Sequence, residues 1–259
     1  MDPYFCCSCY ENSFCSFDIN NELIDDPSVI AEAFNSYYVN VGANLAESDD
    51  NNDRNILSFM EYMGDEVYPE LIFDTISIND ILTIVNEMND SSAGYDDIPA
   101  SIVKKVIGLI LGPLCRICNC SLIGGIFPSK LKVAKIIPIF KKDSKDKLKN
   151  YRPISILPCF SKIIEKAISI QLVNFLETNN ILHNSQFGFR AARSTTAATL
   201  NLVDFVLDAF DKKEFAVGIF LDLTKAFDTV DHTILLHKLQ HIGIRGHNLN
   251  LFRSYLSNR

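Results

Sequence analysis

An apolar run that ends at a carboxylate is the most promising chemical feature of this sequence. Residues 215–223 read FAVGIFLDL, and Asp222 is followed at short spacing by Lys225, Phe227 and Asp228. The run has no helical period and is apolar almost throughout, so it predicts a strand buried on both faces. Asp222 would then lie at the carboxyl end of that strand.

Three interpretations of Asp222 are open on this pattern alone. An Asp after a strand most often caps a helix or closes a turn. It could be the nucleophile of an aspartyl-phosphate enzyme, but the acid that such phosphatases carry two residues later is replaced here by Thr224. It could also belong to a metal-dependent nucleotidyl transferase, where carboxylates from separate strands hold two divalent ions about 4 Å apart.

The elements predicted around this segment are mostly helices. Ser77 and Asp80 have the spacing of a capping pair at a helix start. A short strand is predicted at 133–140, where Pro138 indicates a sheet edge or a bulge, and the basic loop KKDSKDKLKN follows it. Periodicity and end signals predict helices at about 28–46, 77–88, 161–180, 200–210, 234–242 and 249–256, and one or two mostly apolar helices within 98–128.

The net charge of −8 conceals an acidic and a basic part of the chain. Residues 1–100 hold one basic and 21 acidic residues, a net charge of −20, whereas residues 101–259 hold 23 basic and 11 acidic residues, a net charge of +12. A basic part of that size is expected of a protein that binds phosphate backbones, although a charge run is more often a solvated surface. A linker is predicted at 47–55, and residues 1–20 are expected to be poorly ordered.

The cysteines and the apolar segments bound the class of protein. Eight cysteines in 259 residues are too few for a disulfide framework, so most are expected to be reduced, buried and inert. The sequence lacks a signal peptide and any run of about 18 uninterrupted apolar residues, so an intracellular protein without a membrane partner is expected. Two cysteine clusters are candidates for zinc sites. Each lacks a second pair of ligands at the spacing of a zinc site, so zinc is not expected at either. The clusters are Cys6, Cys7, Cys9 and Cys15, and Cys115, Cys118 and Cys120.

Three motifs in fixed order give the sequence a family resemblance. They are NYRPIS at 150–155, QFGFR at 186–190 and DLTKAFD at 222–228, and VAKIIPIF precedes them at 133–140. Together they resemble the reverse transcriptase of non-LTR (LINE-type, jockey-like) retrotransposons. The resemblance runs from about Asp74 to the last residue, and the stretch IAEAFNSYYVNVGANLA resembles the leader that precedes this domain in such elements.

The resemblance implies an α+β fold, that of a right-hand polymerase. Residues 74–214 would form the fingers and residues 215–259 the first part of the palm with the metal-binding strand. Residues 1–73 would be an acidic, partly disordered leader with a short helix. The thumb is expected to be absent from this chain, and the missing strands would leave an exposed sheet edge and low solubility.

The resemblance assigns Asp222 to the catalytic metal site. In this family the first palm Asp binds two ions, expected to be Mg²⁺, and the main-chain carbonyl of Leu223 is implied as a further ligand. Hard carboxylate and carbonyl oxygens suit Mg²⁺, and the ions would neutralise charge during transfer. The activity implied is RNA-directed DNA polymerisation, with an RNA template, a DNA primer and deoxynucleoside triphosphates as partners.

Further site residues are implied for the nucleotide and the template. Arg152 of NYRPIS would hold the triphosphate through its planar guanidinium, with Lys141 and Lys142 as helpers. Phe227 would lie beneath the incoming sugar and exclude a ribose 2′-hydroxyl. The template contacts implied by QFGFR are Gln186, Gly188 and Arg190.

The sequence departs from the family pattern at its end. The [FY]-A-D-D strand that brings the second carboxylate pair should follow Arg259, so the chain is interpreted as truncated before it. No Asp-Asp pair after Asp222 replaces it. The fragment alone is therefore expected to be inactive, and a non-catalytic RNA-binding remnant or a degraded copy of the element is the alternative.

Overall fold

A computed structural model describes residues 16–47, 63–64, 66–90, 92–223 and 225–258. The architecture mixes helix and strand, and helices predominate. The chain forms two compact units, one made of residues 1–172 with 227–259 and the other of residues 173–226. The cysteines at 6, 7, 9 and 15, and the predicted linker beyond residue 47, lie outside the described residues.

The first unit begins with a small hairpin and a long helix. Strands β1 (Phe17–Ile19) and β2 (Glu22–Ile24) pair antiparallel, and helix α1 (Pro27–Glu47) follows. The helix expected at about 28–46 is confirmed. The expectation that residues up to 20 are poorly ordered is wrong for β1, because the ring of Phe17 is buried in an aromatic cluster that fixes it.

Helices α2 (Ile78–Glu87) and α3 (Ala100–Gly124) form the middle of this unit. The predicted capping box is confirmed, since Ser77 accepts from the Asp80 N–H at 3.2 Å and the Asp80 carboxylate accepts from the Ser77 N–H at 2.8 Å. The apolar stretch that follows forms one helix, which ends at Gly124 and is capped by Gly125. Gly125 has a φ of 64°, and a Cβ there would lie 2.5 Å from the carbonyl oxygen of His247.

Helix α3 has the length and composition of a membrane span. Its most apolar 18-residue window has a mean hydropathy of 1.9. The core helix of a soluble protein can be equally long and apolar. In α3, 33% of this window is buried within the described part of the chain. One face of α3 packs along α2 and along α7 (Gly246–Leu256).

A second hairpin follows α3. Strand β3 (Lys135–Phe140) pairs antiparallel with β4 (Tyr151–Ile156) in a two-stranded sheet, so each strand is an edge. Pro138 lies opposite Pro153. The edge strand predicted at 133–140 is confirmed, since a proline that cannot donate a ladder hydrogen bond is tolerated there.

Most of helix α4, together with helices α6 and α7, completes the first unit. Helix α4 (Cys159–Thr178) buries Ile163 and Ile164 and runs past the boundary between the units, which falls after Leu172. Helices α6 (His232–His241) and α7 meet at a turn around Gly243. The Tyr255 hydroxyl of α7 donates to Glu165 of α4 at 2.8 Å. The helices predicted in these three regions are confirmed.

The second unit holds the end of α4, a loop and helix α5 (Thr195–Asp211), followed by an irregular segment. Helix α5 is confirmed. The prediction of a strand buried on both faces at 215–223 is wrong, because these residues form no strand and Phe215 and Leu223 are 100% and 75% exposed. A strand needs a neighbour to satisfy its backbone N–H and C=O groups, and no described strand pairs with this segment.

Candidate functional site

The β3–β4 hairpin carries the residues expected to bind the triphosphate. Arg152 lies directly opposite Ile139, and the Lys141 N–H donates to the Asn150 carbonyl at 2.8 Å, which extends the ladder by one pair. Because directly opposed residues share a face and side chains alternate along a strand, Lys141 and Arg152 belong to one face. Lys142 follows on the other face, and all three side chains are exposed.

The opposite face of this hairpin is held by aromatic packing. Tyr151 and Phe140 are cross-strand partners whose ring centroids lie 5.5 Å apart, and Tyr151 is buried. Its hydroxyl donates to the Lys145 carbonyl at 2.8 Å. On the face of Lys141 and Arg152, the buried Asn150 side chain donates through Nδ2 to the Ser144 carbonyl at 2.7 Å. Next to the loop, the hairpin therefore has one face packed through Tyr151 and one face on which Lys141 and Arg152 are exposed to solvent.

The QFGFR loop is anchored through Arg190. Its Nε donates to Glu177 Oε1 at 2.9 Å, its Nη2 to Glu177 Oε2 at 2.6 Å, and its Nη1 to the His183 carbonyl at 2.9 Å. Only 8% of the Arg190 side chain is exposed. These hydrogen bonds lower the pKa of Glu177 below its usual 4.5, although partial burial acts in the opposite direction. Arg190 thus ties the loop to the end of α4.

Other residues of this loop are more open. Gln186 Nε2 donates to the Gly188 carbonyl at 3.2 Å, and no atom lies within 4 Å of a Cβ built at Gly188. Phe189 has a φ of 60° and a ring that is 91% exposed. Arg193 lies over the Phe187 ring at 5.4 Å from its centroid and donates to the Asn184 carbonyl at 2.6 Å. The open space at Gly188 and the exposed Phe189 form a surface that a flat base could approach.

The segment that contains Asp222 is exposed. The side chains of Asp222, Leu223 and Phe227 all lie at the surface, and Phe227 is 79% exposed rather than part of a core. The helix cap after this segment is Asp231, whose Oδ1 accepts from the N–H groups of Thr233 and Ile234 at 2.7 and 3.1 Å. These two bonds, that of Ile234 first, lower the pKa of Asp231. Asp222 is therefore not the cap of α6.

The described residues do not complete a two-metal site. Among them, no three His, Cys, Asp or Glu side chains converge as metal ligands. Asp222 offers one carboxylate and Leu223 one carbonyl, whereas two ions need several oxygen ligands from separate elements. The described residues alone therefore supply too few ligands for two ions.

The C-x-x-C pair in α3 lies in the core. Cys115 and Cys118 are buried, and the Cys115 thiol donates to the Ile76 carbonyl at 3.2 Å. Burial, and then the neighbouring Cys115, raise the pKa of Cys118 to about 12. Cys120, the third member of the cluster, is exposed.

Comparison with known proteins assigns the family. Residues 139–259 match the sequence family described as "Reverse transcriptase (RNA-dependent DNA polymerase)". Residues 139–259 belong to the reverse transcriptase family. This reverse transcriptase segment contains every residue predicted for the site, from Lys141 to Phe227.

Similar proteins narrow the type of reverse transcriptase. The chain is 32% identical over 177 residues to the "Probable RNA-directed DNA polymerase from transposon X-element" of Drosophila melanogaster, an alignment that covers 68% of this chain and 19% of that protein. It is 32% identical over 185 residues to the "RNA-directed DNA polymerase from mobile element jockey" of the same species, which covers 70% of this chain and 20% of that protein. The resemblance to jockey-like elements is confirmed. The chain spans about a fifth of the length of these relatives.

Some residues that the sequence motifs did not single out contact the candidate site residues or lie beside them. Glu177 lies in α4, thirteen residues before its partner Arg190, and no short-range pattern marks such a pair. Phe189 belongs to the QFGFR motif itself, and Arg193 follows it in the same loop; an Arg close to aromatic residues was a visible signal. Two further residues, Phe17 and Asp18, contact the β3–β4 hairpin from outside the matched segment.

Proposed function

We propose that this chain is part of an RNA-directed DNA polymerase of a non-LTR retrotransposon. The complete enzyme would copy an RNA template into DNA from a DNA primer and deoxynucleoside triphosphates. The observation that carries the proposal is the β3–β4 hairpin, which exposes Arg152 and Lys141 on one face and whose residues from 139 onward lie within the family match. In the terms of a right-hand polymerase, residues 74–214 would be fingers and residues 215–259 the first part of the palm.

The hairpin is proposed to bind the triphosphate. The guanidinium of Arg152 can donate two parallel hydrogen bonds to phosphate oxygens, and Lys141 adds a positive point charge on the same face. Lys142, which follows Lys141 on the other face of the hairpin, is proposed to add a further positive charge near the triphosphate. Phe227 is proposed to lie beneath the incoming sugar, and its side chain is 79% exposed.

The QFGFR loop is proposed to contact the template. Gln186 and Gly188 would face the nucleic acid, where the open space at Gly188 admits a base. Arg190 would act mainly by holding the loop, because three of its hydrogen bonds are already made within the protein. Its remaining N–H groups could still reach a phosphate.

Asp222 and the Leu223 carbonyl are proposed as metal ligands of the complete polymerase. Bound Mg²⁺ would supply charge neutralisation for nucleotidyl transfer. The support is the position of Asp222 within the matched family segment and its exposed carboxylate, which leaves it accessible to an ion. The ligands that would complete the site are not among the described residues, so the chain alone is expected to be inactive.

Binding of a fluorescent deoxyadenosine triphosphate tests the hairpin. Arg152→Ala should weaken binding about tenfold or more, because a hydrogen-bonded charge pair is lost. Arg116→Ala, which removes an exposed guanidinium from α3, should leave affinity unchanged. Equal affinity of Arg152→Ala and the unaltered chain would refute the assignment. Primer extension on an RNA template should give no product, and product that Asp222→Ala abolishes would show that these residues suffice for catalysis.

The charge distribution favours a second candidate, RNA binding without catalysis. Residues 101–259 carry a net charge of +12 and include the exposed Lys141, Lys142 and Arg152. Phosphate contacts of this kind release counterions, so affinity for a single-stranded RNA should fall steeply and linearly on a log scale as salt rises. Affinity that does not depend on salt would contradict this candidate.

A further inference from the structure

The N-terminal hairpin packs directly beneath the proposed triphosphate-binding face. The rings of Phe17 and Phe34 lie 5.5 and 5.3 Å from that of Tyr151, and 5.2 Å from each other, between centroids. Phe17 is 1% exposed and Phe34 is fully buried. Three mutually contacting rings hold their neighbours in one geometry, since aromatic pairs add to the free energy of simple burial. The cluster therefore fixes the position of Tyr151, the residue before Arg152.

Polar contacts hold the loop between β3 and β4 from the same side. The Asp18 carboxylate forms an ion pair with the Lys147 ammonium. The backbone N–H of Asp18 donates to the Asp146 carbonyl at 2.9 Å. The hydrogen bond from Lys147 is the largest of the causes that lower the pKa of Asp18, because it favours the charged carboxylate. β1 thus joins the loop through one charged and one backbone contact.

These contacts reach Arg152 and Lys141 through short covalent and hydrogen-bonded links. Tyr151 adjoins Arg152 and places its side chain on the opposite face of β4. Asn150, which precedes Tyr151, accepts the Lys141 N–H. The packed face can therefore set the orientation of the solvated face without touching a ligand.

The residues that make these contacts lie outside the matched family segment. Phe17, Asp18 and Phe34 precede residue 139, where the family match begins. They belong to the same compact unit as the hairpin. A region read from sequence as an acidic leader is therefore part of the structure that supports the hairpin.

We propose that Phe17, Asp18 and Phe34, together the N-terminal clamp, position the face of the β3–β4 hairpin on which Arg152 and Lys141 bind a nucleoside triphosphate. The proposal rests on the proposed function of that face. A hairpin fixed in advance loses less conformational entropy when it binds, so the clamp increases affinity by preorganisation. Phe17, Asp18 and Phe34 are positioning residues, since they act through Tyr151 and Lys147.

Charge reversal of the ion pair tests the clamp in the full chain. The variants are Asp18→Lys, Lys147→Asp and the double variant that restores an opposite pair. Glu22→Lys is the matched control, because Glu22 is an exposed acid of the same small hairpin. Amide hydrogen exchange of residues 135–156 reports hairpin order, with α3 as the internal reference. Affinity for the fluorescent deoxyadenosine triphosphate reports the binding face.

The expected result separates positioning from general destabilisation. Asp18→Lys should accelerate exchange in residues 141–152 but not in α3, and should weaken nucleotide affinity several-fold. The double variant should restore both, and Glu22→Lys should alter neither. A loss of stability throughout the unit would also accelerate exchange in α3, which would overturn a specific positioning role.

Two further outcomes distinguish failure of the clamp from failure of the proposed function. If Arg152→Ala loses nucleotide binding while Asp18→Lys binds normally, the positioning role is overturned and the triphosphate role stands. If Arg152→Ala binds as well as the unaltered chain, the proposed function of the face fails, and the positioning role fails with it.

Discussion

Arg190 and Glu177 are joined by two parallel hydrogen bonds of 2.9 and 2.6 Å, although they lie thirteen residues apart in the sequence. The pair closes the segment that connects α4 to the QFGFR loop. A guanidinium fork matches a carboxylate in this geometry, and a Lys could make only a single contact of the same reach. The pair therefore determines how the loop leaves the helix.

Loss of the Glu177 charge should loosen the QFGFR loop. In Glu177→Gln the amide can accept only one of the two guanidinium hydrogen bonds, and the nearly buried Arg190 loses its counter-charge. We expect chymotrypsin to cleave after Phe187 and Phe189 several-fold faster than in the unaltered chain, because local opening becomes more frequent. The control Asp204→Asn alters an exposed acid of α5, and chymotrypsin should cleave this variant at the same rate as the unaltered chain. Unchanged cleavage in Glu177→Gln would contradict an anchoring role.

Low pH should break the ion pair between Arg190 and Glu177, because it protonates the Glu177 carboxylate. The folded-state pKa of Glu177 is lowered from 4.5, first by the hydrogen bonds from Arg190. The contribution of the pair to stability is therefore complete above 4.5 and is lost as the pH falls through the lower, folded-state pKa. Carboxyl-carbon NMR should show Glu177 titrating below 4.5, and Arg190→Ala should raise that midpoint. A midpoint at or above 4.5 in the unaltered chain would show that the ion pair does not form in solution.

Substitution by alanine at two glycines should change the free energy of unfolding in opposite directions. A Cβ at Gly94 would lie 2.7 Å from the backbone nitrogen of Pro158, at the junction of β4 and α4. Gly94→Ala should therefore destabilise the protein by about 1–3 kcal/mol, as overpacking does. Gly108, within α3, has nothing within 4 Å of its Cβ position, so Gly108→Ala should stabilise by about 0.5–1 kcal/mol. Urea unfolding measures both, and a stable Gly94→Ala would refute the close approach.

The cysteine thiols should differ in reactivity. With a pKa of about 12, Cys118 has almost no thiolate at neutral pH, and burial also raises the pKa of Cys159. Cys120 is exposed. Iodoacetamide followed by peptide mass spectrometry should label Cys120 in the folded chain and label Cys118 only after unfolding. Equal labelling of the two in the folded protein would show that α3 opens.

Local signals in the sequence predicted most helices. Ser77 and Asp80 predicted a helix start because both partners of the capping box lie within one turn. Pro138 predicted an edge strand because its missing N–H is incompatible with a central strand. Such features depend on residues close in sequence, so they can be predicted without knowledge of the fold.

Features that depend on distant partners were not predicted. Strand β4 contains Pro153 and was read only as a motif, because its partner β3 lies across a ten-residue loop. Apolar composition predicted a strand around Asp222, but a strand also requires hydrogen-bonding neighbours, and the described residues provide none. The family motifs located the site residues within the chain, whereas the anchor of Arg190 and the packing of Phe17 on Tyr151 emerge only in three dimensions.

The irregular segment 215–223 has a consequence for handling the protein. Residues 215–221, FAVGIFL, have no charge and no proline, and their large side chains are exposed. A short segment of high β-propensity with these properties can stack with copies of itself into a cross-β fibril. The thioflavin fluorescence of concentrated preparations should therefore increase with time. The substitution Val217→Lys, which places a charge within the segment, should slow fibril nucleation.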